Sequence, residues 1–183
     1  MILFIDTHDE LITIGLKTET DLFVKTQESE YSHSIYTMPM IESIFKENNL
    51  NIKDLNKIIV VNGPGSFTGI RIGVAIAKTL AYALKIDINT ISSLTTYLIS
   101  NNLGQKRKAV IEDNKGYYIS VFDENDENVV KEYYDEELRY EDYVTVPNTI
   151  DIQKVIEYCK NMESENPHFV KANYIKKIEV EKW

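Results

Sequence analysis

The densest run of chemistry-bearing residues is Asn62-Gly-Pro-Gly-Ser-Phe-Thr-Gly69. A β-branched stretch, Lys57–Val61, leads into Gly63, Pro64 and Gly65, and a helix opens between Ser66 and Gly69 and continues to about Leu84. Glycines admit backbone angles and close approaches that a side chain forbids. Ser66 or Thr68 can cap the helix, and the free N–H groups at its start can hold an anion. The turn Gly63, Pro64, Gly65, Ser66, Phe67 and Thr68 is therefore either a site that can hold an anion or a strand-to-helix turn that simply packs tightly. Two standard loops are nevertheless excluded. A Walker A loop needs Gly-Lys-Ser/Thr after four residues, and the first lysine after Gly63 is Lys78. The dinucleotide fingerprint needs a glycine where the chain has Thr68.

The other reactive side chains give less. His8, His33 and His168 are far apart and show no two-histidine helix spacing, so no metal site is expected. His33 falls at a helix start, where a neutral capping role is expected. The single cysteine, Cys159, can form no internal disulfide and has no catalytic signature around it, in keeping with a reducing cytosol. Asp6 and Glu112 each end the first strand of a half-chain. Actin-like and sugar-kinase-like ATPases hold magnesium and activate water with carboxylates placed in this way. Here Asp6-Thr7-His8-Asp9 lacks the glycine that admits phosphate, and no Gly-Gly pair is present to cradle an adenosine. No working ATPase is expected, and no Gly-x-Ser-x-Gly nucleophile elbow occurs.

Two helices around the turn are more apolar than a surface helix needs to be. On a 100° wheel, Arg71, Lys78 and Tyr82 fall within about 40° of one another, and nearly everything else from Gly69 to Leu84 is apolar or small. Gly69, Gly73 and Ala77 recur every four residues and predict a flat flank for close helix contact. In Ser34–Asn48, Met38, Ile41 and Phe45 form one cluster, and Tyr36, Met40 and Ile44 form the next. Together they cover about half the circumference, wider than the usual apolar stripe. Pro39 should kink this helix or shift its start. An obligate interface with a second protein competes here with burial in the chain's own core.

The chain has 183 residues, 43% hydrophobic and 27% charged, enough for one domain or two small lobes with a real core. No apolar run reaches a membrane span of about eighteen residues, and Met-Ile-Leu-Phe-Ile-Asp reads as a first strand rather than a signal peptide. Net charge is −9, and residues 112–142 hold twelve acids against three bases. Tight binding of nucleic acid by the chain alone is not expected, because a basic footprint is missing. Strands at Ile2–Asp6, Leu11–Leu16 and Leu22–Thr26 come first, and the helix Ser34–Asn48 follows. The strand Lys57–Val61, the long helix, the strand Ile86–Ile91 and a capped helix to about Ser100 complete a βββαβαβα lobe. A boundary near 102/103 divides residues 1–102 from a smaller lobe, 103–183. That lobe has strands at Ala109–Glu112, Tyr117–Phe122 and Val129–Tyr133, a helix from Asp151 to about Met162, and a tail of interleaved lysines and glutamates ending at Lys182-Trp183.

The motifs Ile-Asp-Thr, Ser-His-Ser-Ile-Tyr-Thr-Met-Pro-Met-Ile and Ile-Ser-Ser-Leu, with the long run Gly-Pro-Gly-Ser-Phe-Thr-Gly-Ile-Arg-Ile-Gly-Val-Ala-Ile-Ala-Lys-Thr-Leu-Ala, resemble the TsaB (YeaZ) family over residues 1–122. This resemblance implies an α/β fold of the actin-like, sugar-kinase and heat-shock-chaperone ATPase superfamily, with two related lobes of mixed sheet, the second shortened. It implies a cytoplasmic, non-catalytic subunit of tRNA threonylcarbamoyladenosine synthesis with a degenerate ATP site and no tightly bound cofactor. Such a subunit pairs with a TsaD-like catalytic protein through a four-helix bundle, is joined by a TsaE-like ATPase, pairs with itself when alone, meets tRNA and ATP only in the complex, and involves no membrane. The implied interface helices are the two found apolar above, carried by Ile35, Met38, Ile41, Glu42 and Phe45 and by Gly69, Arg71, Ile72, Gly73, Ile76, Ala77 and Leu80. Arg71 and Lys78 are candidates for a shared nucleotide or tRNA contact. Glu112-Asp-Asn-Lys-Gly116 departs from the family's Asp-Ala-Arg-like turn. The competing classes are a residual ATPase or peptidase, and a self-associating relative that no longer binds TsaD.

Overall fold

A computed structural model describes residues 1–29, 32–101 and 104–176. The boundary at 102/103 and the tail from Lys177 to Trp183 lie outside the described residues. The first sheet has strands β1 (Ile2–Asp6), β2 (Leu11–Lys17), β3 (Leu22–Glu28), β4 (Lys57–Val61) and β5 (Asp87–Ile91) in the order β3-β2-β1-β4-β5. The β1-β2-β3 meander is antiparallel, whereas β1, β4 and β5 are parallel. Parallel neighbours need crossovers. These are α1 (His33–Glu47) and α2 (Phe67–Leu84), which lie on one face of the sheet.

Alternation along β4 shows why this strand is central. All five residues are buried, Ile58 and Val60 toward α1 and α2, Ile59 and Val61 toward the opposite face. That opposite face is covered by α4 (Ile152–Lys160), through Ile152, Val155, Ile156 and Cys159. Between the sheets lies α3 (Ser93–Ser100), whose Leu94, Tyr97 and Leu98 pack on Ala109 and Phe122. The second sheet has β6 (Arg107–Asp113), β7 (Gly116–Phe122), β8 (Asn128–Asp135) and the two-residue β9 (Val144–Thr145), in the order β8-β7-β6-β9. Serine and aspartate caps fix three helix starts: Ser66 accepts from Gly69 N–H, Ser92 from Thr95 N–H and Asp151 from Lys154 N–H.

Apart from the two-residue β9, which the sequence pattern does not show, the strands and helices fall where that pattern puts them, with three further differences. Pro39 sits inside α1 on its exposed side, and the helix already starts at His33, so the proline does not shift its start. Gly116 opens β7 rather than forming the turn, because a Cβ there would run into the Asp135 carbonyl oxygen of β8. The chain after residue 104 also does not stay in one lobe. After β9 it returns to the first sheet, where the buried Lys57 ammonium caps the end of α4 by donating to the Cys159 carbonyl at 3.0 Å. An extended strap over residues 163–176 then follows β5 and α2 and ends at the second sheet. Glu165 N–H donates to Ile88 C=O, Asn173 N–H to Asn62 C=O, and the Lys176 ammonium to the Asp113 carboxylate at 2.8 Å.

Candidate functional site

α1 and α2 lie side by side, and their inner faces close the core through Ile41, Ile44 and Phe45 and through Ile70, Val74, Ala77 and Ala81. The small-residue flank is internal. A Cβ on Gly69 would run into the Thr7 carbonyl oxygen and the His33 ring, and one on Gly73 into Thr7 Oγ1. The Thr7 hydroxyl donates to the Gly69 carbonyl at 2.8 Å. Gly69, Gly73 and Ala77, like Ile41 and Phe45, are therefore core contacts, not partner contacts as the sequence suggested. The end of β1 approaches α2 so closely that only glycine fits between them.

What faces outward is the neighbouring stripe. Thr68, Ala75 and Thr79 are exposed, and Ile72, Ile76 and Leu80 are half-buried. α1 adds Ile35 (64% exposed), half-buried Met38, and exposed Pro39 and Glu42. By length and composition α2 passes for a membrane span, with 18 residues of mean hydropathy 1.3, yet only a third of it is buried. One side is built into the sheet's core, and the other presents apolar and small side chains outward. The polar stripe beside this strip is engaged within the chain. The Lys78 ammonium donates to the His168 carbonyl at 3.3 Å, and Tyr82 meets the His168 ring edge-on. The Arg71 guanidinium lies 5.0 Å over the Phe67 ring, which packs on Tyr174 of the strap.

The glycine turn is not an open anion cradle. Gly63 and Gly65 adopt φ of +110° and +150°, and a Cβ at Gly65 would strike the His8 carbonyl oxygen. Ser66 N–H donates to that carbonyl at 2.6 Å, Gly69 N–H donates to Ser66 Oγ, and the Ser93 hydroxyl donates to the Pro64 carbonyl. Two amides available for an anion are thus already bonded. Gly63 and Pro64 are buried, Ser66 is half-buried, and Phe67 and Thr68 face outward.

Behind the turn a cleft of about 440 Å³ opens between the two sheets, lined by His8, Asp9 and Glu10 on one side and Glu112, Asp113 and Tyr118 on the other. Asp6, at the expected magnesium position, is 2% exposed and accepts from both His8 Nδ1–H (2.7 Å) and His8 backbone N–H (3.0 Å). His8 Nε2 meets the Tyr97 hydroxyl at 2.6 Å. Burial alone would lower the His8 pKa, but the charge and hydrogen bond of Asp6, helped by Asp9, raise it above the ordinary 6.5. Burial, with Asp6 and Asp9, pushes Tyr97 far up, so its hydroxyl keeps its proton. His33, the first residue of α1, donates from Nε2 to the Asp9 carbonyl at 2.7 Å and so ties the helix to the loop after β1; it does not cap the helix as expected, since α1 has no side-chain cap. Among the described residues no three His, Cys, Asp or Glu side chains come together to hold a metal ion. Burial drives the Cys159 thiol up to about 12, leaving it unreactive. The Asp6–His8–Tyr97 chain was not anticipated; Asp-x-His is visible at residues 6–8, but Tyr97 is brought to it only by α3.

A family model described as TsaD, tRNA N6-adenosine threonylcarbamoyltransferase, matches residues 24–163. The protein called tRNA threonylcarbamoyladenosine biosynthesis protein TsaB in Bacillus subtilis (strain 168) is 42% identical over 96 residues, 52% of this chain and 42% of that protein. The chain belongs to this family, as one of its TsaB/YeaZ members. The TsaB protein of Escherichia coli (strain K12) is 32% identical over 95 residues, 52% of this chain and 41% of that one. The chain spans about half the length of the curated relatives it matches. A crystal structure of an uncharacterized protein, described as similar to peptidase YEAZ from Pseudomonas aeruginosa, superposes with a TM-score of 0.82 at 17% identity, covering 96% of this chain and 99% of that one. YeaZ from Pseudomonas aeruginosa gives 0.67 at 19% identity, over 79% and 74%. These two show the fold, an α/β architecture of two mixed sheets with helices, consistent with that of the actin-like, sugar-kinase and chaperone ATPases. In this TsaB/YeaZ member the Asp6–His8–Tyr97 chain beside the cleft is satisfied by its own hydrogen bonds, and an outward strip of apolar and small side chains lies on α1 and α2.

Proposed function

We propose that the chain is a non-catalytic subunit that docks a TsaD-like catalytic protein and thereby supports threonylcarbamoyl transfer to the adenosine beside the tRNA anticodon. The observation that carries this is the outer strip of α2, with Thr68, Ala75 and Thr79 exposed and Ile72 and Ile76 only half-buried, on a helix one-third buried. Exposed apolar patches of this kind mark interaction sites. Ile35 and Met38 extend the strip across α1, with Glu42 and Arg71 at its margins. The names of the TsaB relatives supply the pathway. On this reading the work is done in the cytoplasm, and a TsaE-like ATPase joins the assembly. ATP is bound only in that assembly, because the turn amides and Asp6 are already occupied within the chain. With −9 net charge, tRNA is held by the partner or across the joint. A second copy fits the same strip, so the chain alone forms a homodimer that the partner displaces. Co-expression with a TsaD-like protein from the same cell tests the reading. Stoichiometric co-elution, with loss of the homodimer, is expected; a chain that stays with itself in the presence of the partner overturns it.

A further inference from the structure

The cleft between the sheets has a chemistry that docking does not use. Asp9 and Glu10, from the loop after β1, and Glu112 and Asp113, at the end of β6, face one space of about 440 Å³. Asp9, Glu10 and Glu112 are solvent-exposed, and among the described residues no lysine or arginine pairs with them. Asp113 is already paired with an ammonium. Lys176 of the strap sits 2.8 Å from its carboxylate, 3.3 Å from the Tyr134 hydroxyl and 4.4 Å over the Tyr134 ring. One wall of the space thus already seats a cation by charge, hydrogen bond and aromatic face together.

Ser29 supplies an independent observation. It is fully buried, it lines the same space, and its Oγ has no hydrogen-bond partner among the described residues. A buried hydroxyl without a partner is uncommon and calls for an explanation, and an N–H donor from a guest would supply one. An anionic guest is disfavoured, because the Ser66 and Gly69 amides are bonded inside the chain and the walls carry four carboxylates. A metal ion is disfavoured as well, because those carboxylates do not converge on one point.

We infer that this cleft binds a small organic cation: a ligand with a primary ammonium and further N–H donors, held between Asp9 or Glu10 and Glu112, with Ser29 Oγ accepting from it. Calorimetry on the full chain with spermidine as the probe, at low and at physiological salt, tests this. One saturable site is expected, weakened at least tenfold by Glu112→Gln and severalfold by Ser29→Ala. Glu124→Gln, on the exposed acidic turn after β7, should leave it unchanged. Because Glu112 is exposed, its variant does not put folding at risk. A free amine and a lysine side chain of a docked protein share this chemistry. Spermidine binding that persists in the co-purified assembly assigns the site to the free amine, and binding lost only there assigns it to the partner's side chain. No saturation, equal weakening by Glu124→Gln, or displacement by an equal concentration of Mg²⁺ overturns the proposal. None of these results bears on whether α1 and α2 dock a partner, so the two readings fail separately.

Discussion

In the cleft, Asp6, His8 and Tyr97 are almost wholly buried and bonded to one another; on the outer face of α1 and α2, Ile35 and Ala75 are exposed and Ile72 and Ile76 only half-buried. Both regions are built on the same first sheet. In the first, buried polar atoms find partners within the chain, which rigidifies the loop after β1. In the second, apolar area removed from the core on one side of α2 is matched by apolar area left in water on the other, and burying it is favourable by about 25 cal/mol per Å². A region whose physical demands are already met is poorly placed to react, whereas one whose demands are unmet is placed to bind.

The comparison can be broken most sharply along α2, where the buried and the outward stripe differ by a few residues. Gly73→Leu should unfold rather than merely disconnect. Its Cβ already overlaps Thr7 Oγ1, and overpacking of this kind costs about 3 kcal/mol or more, a fall in Tm of roughly 6–12 °C for a chain of this size. A variant that melts like wild type would show that the inner flank is not packed as described. Ile72→Asp, on the outward stripe, should do the opposite. Its Tm should stay within a few degrees, while association with the TsaD-like partner, and self-association, weaken by about 2 kcal/mol, roughly thirtyfold. Size-exclusion chromatography with light scattering reads both.

On the cleft side, His8→Gln removes the centre of a buried chain and should cost about 1–3 kcal/mol. The loss depends on pH with a definite sign. The folded-state pKa of His8 is raised above 6.5, so its charged form adds stability that is fully present below pH 6.5 and disappears as pH rises through the folded value. Urea unfolding should therefore show a larger deficit for the variant at pH 5.5 than at pH 9; an equal deficit at both would remove the Asp6–His8 attraction from the account. The smallest effect belongs to Lys78→Ala. Its hydrogen bond to the His168 carbonyl is long and peripheral, so stability should fall by less than about 1 kcal/mol, with partner affinity unchanged within twofold. A tenfold loss of affinity would return Lys78 to the joint.

Much of this arrangement was legible in the sequence. Strand alternation and β-branching located β1 to β8, and the wheel of Gly69–Leu84 showed a helix too apolar for a surface. The choice of inner and outer stripe was not legible. Gly69, Gly73 and Ala77 read as a flat flank for a partner, yet the atoms that fill it belong to Thr7 and His33, more than thirty residues away in sequence. Helical periodicity reports which residues share a face and nothing about which neighbour covers it. The same holds for Lys78, whose partner His168 lies ninety residues on, and for the short β9, whose two residues carry no pattern of their own. The Asp6–His8–Tyr97 chain escaped for the same reason, since only the packing of α3 brings Tyr97 to the end of β1.

The strap sets an order on synthesis. The first sheet contains every strand it needs once residue 91 has been made, but its β5 edge is then a row of unpaired groups, the kind of edge that templates aggregation. That edge is covered only when Glu165 arrives, its backbone N–H on Ile88 and its carboxylate on Thr90 N–H and Oγ1. The same segment brings His168 and Tyr174 to Lys78, Tyr82 and Phe67 beside the docking strip. A nascent chain emerging from its amino end therefore carries an open edge and an unfinished strip from residue 91 until residue 165 has been made. The polar margin of the outer strip is in place only once residues 163–176 have been made.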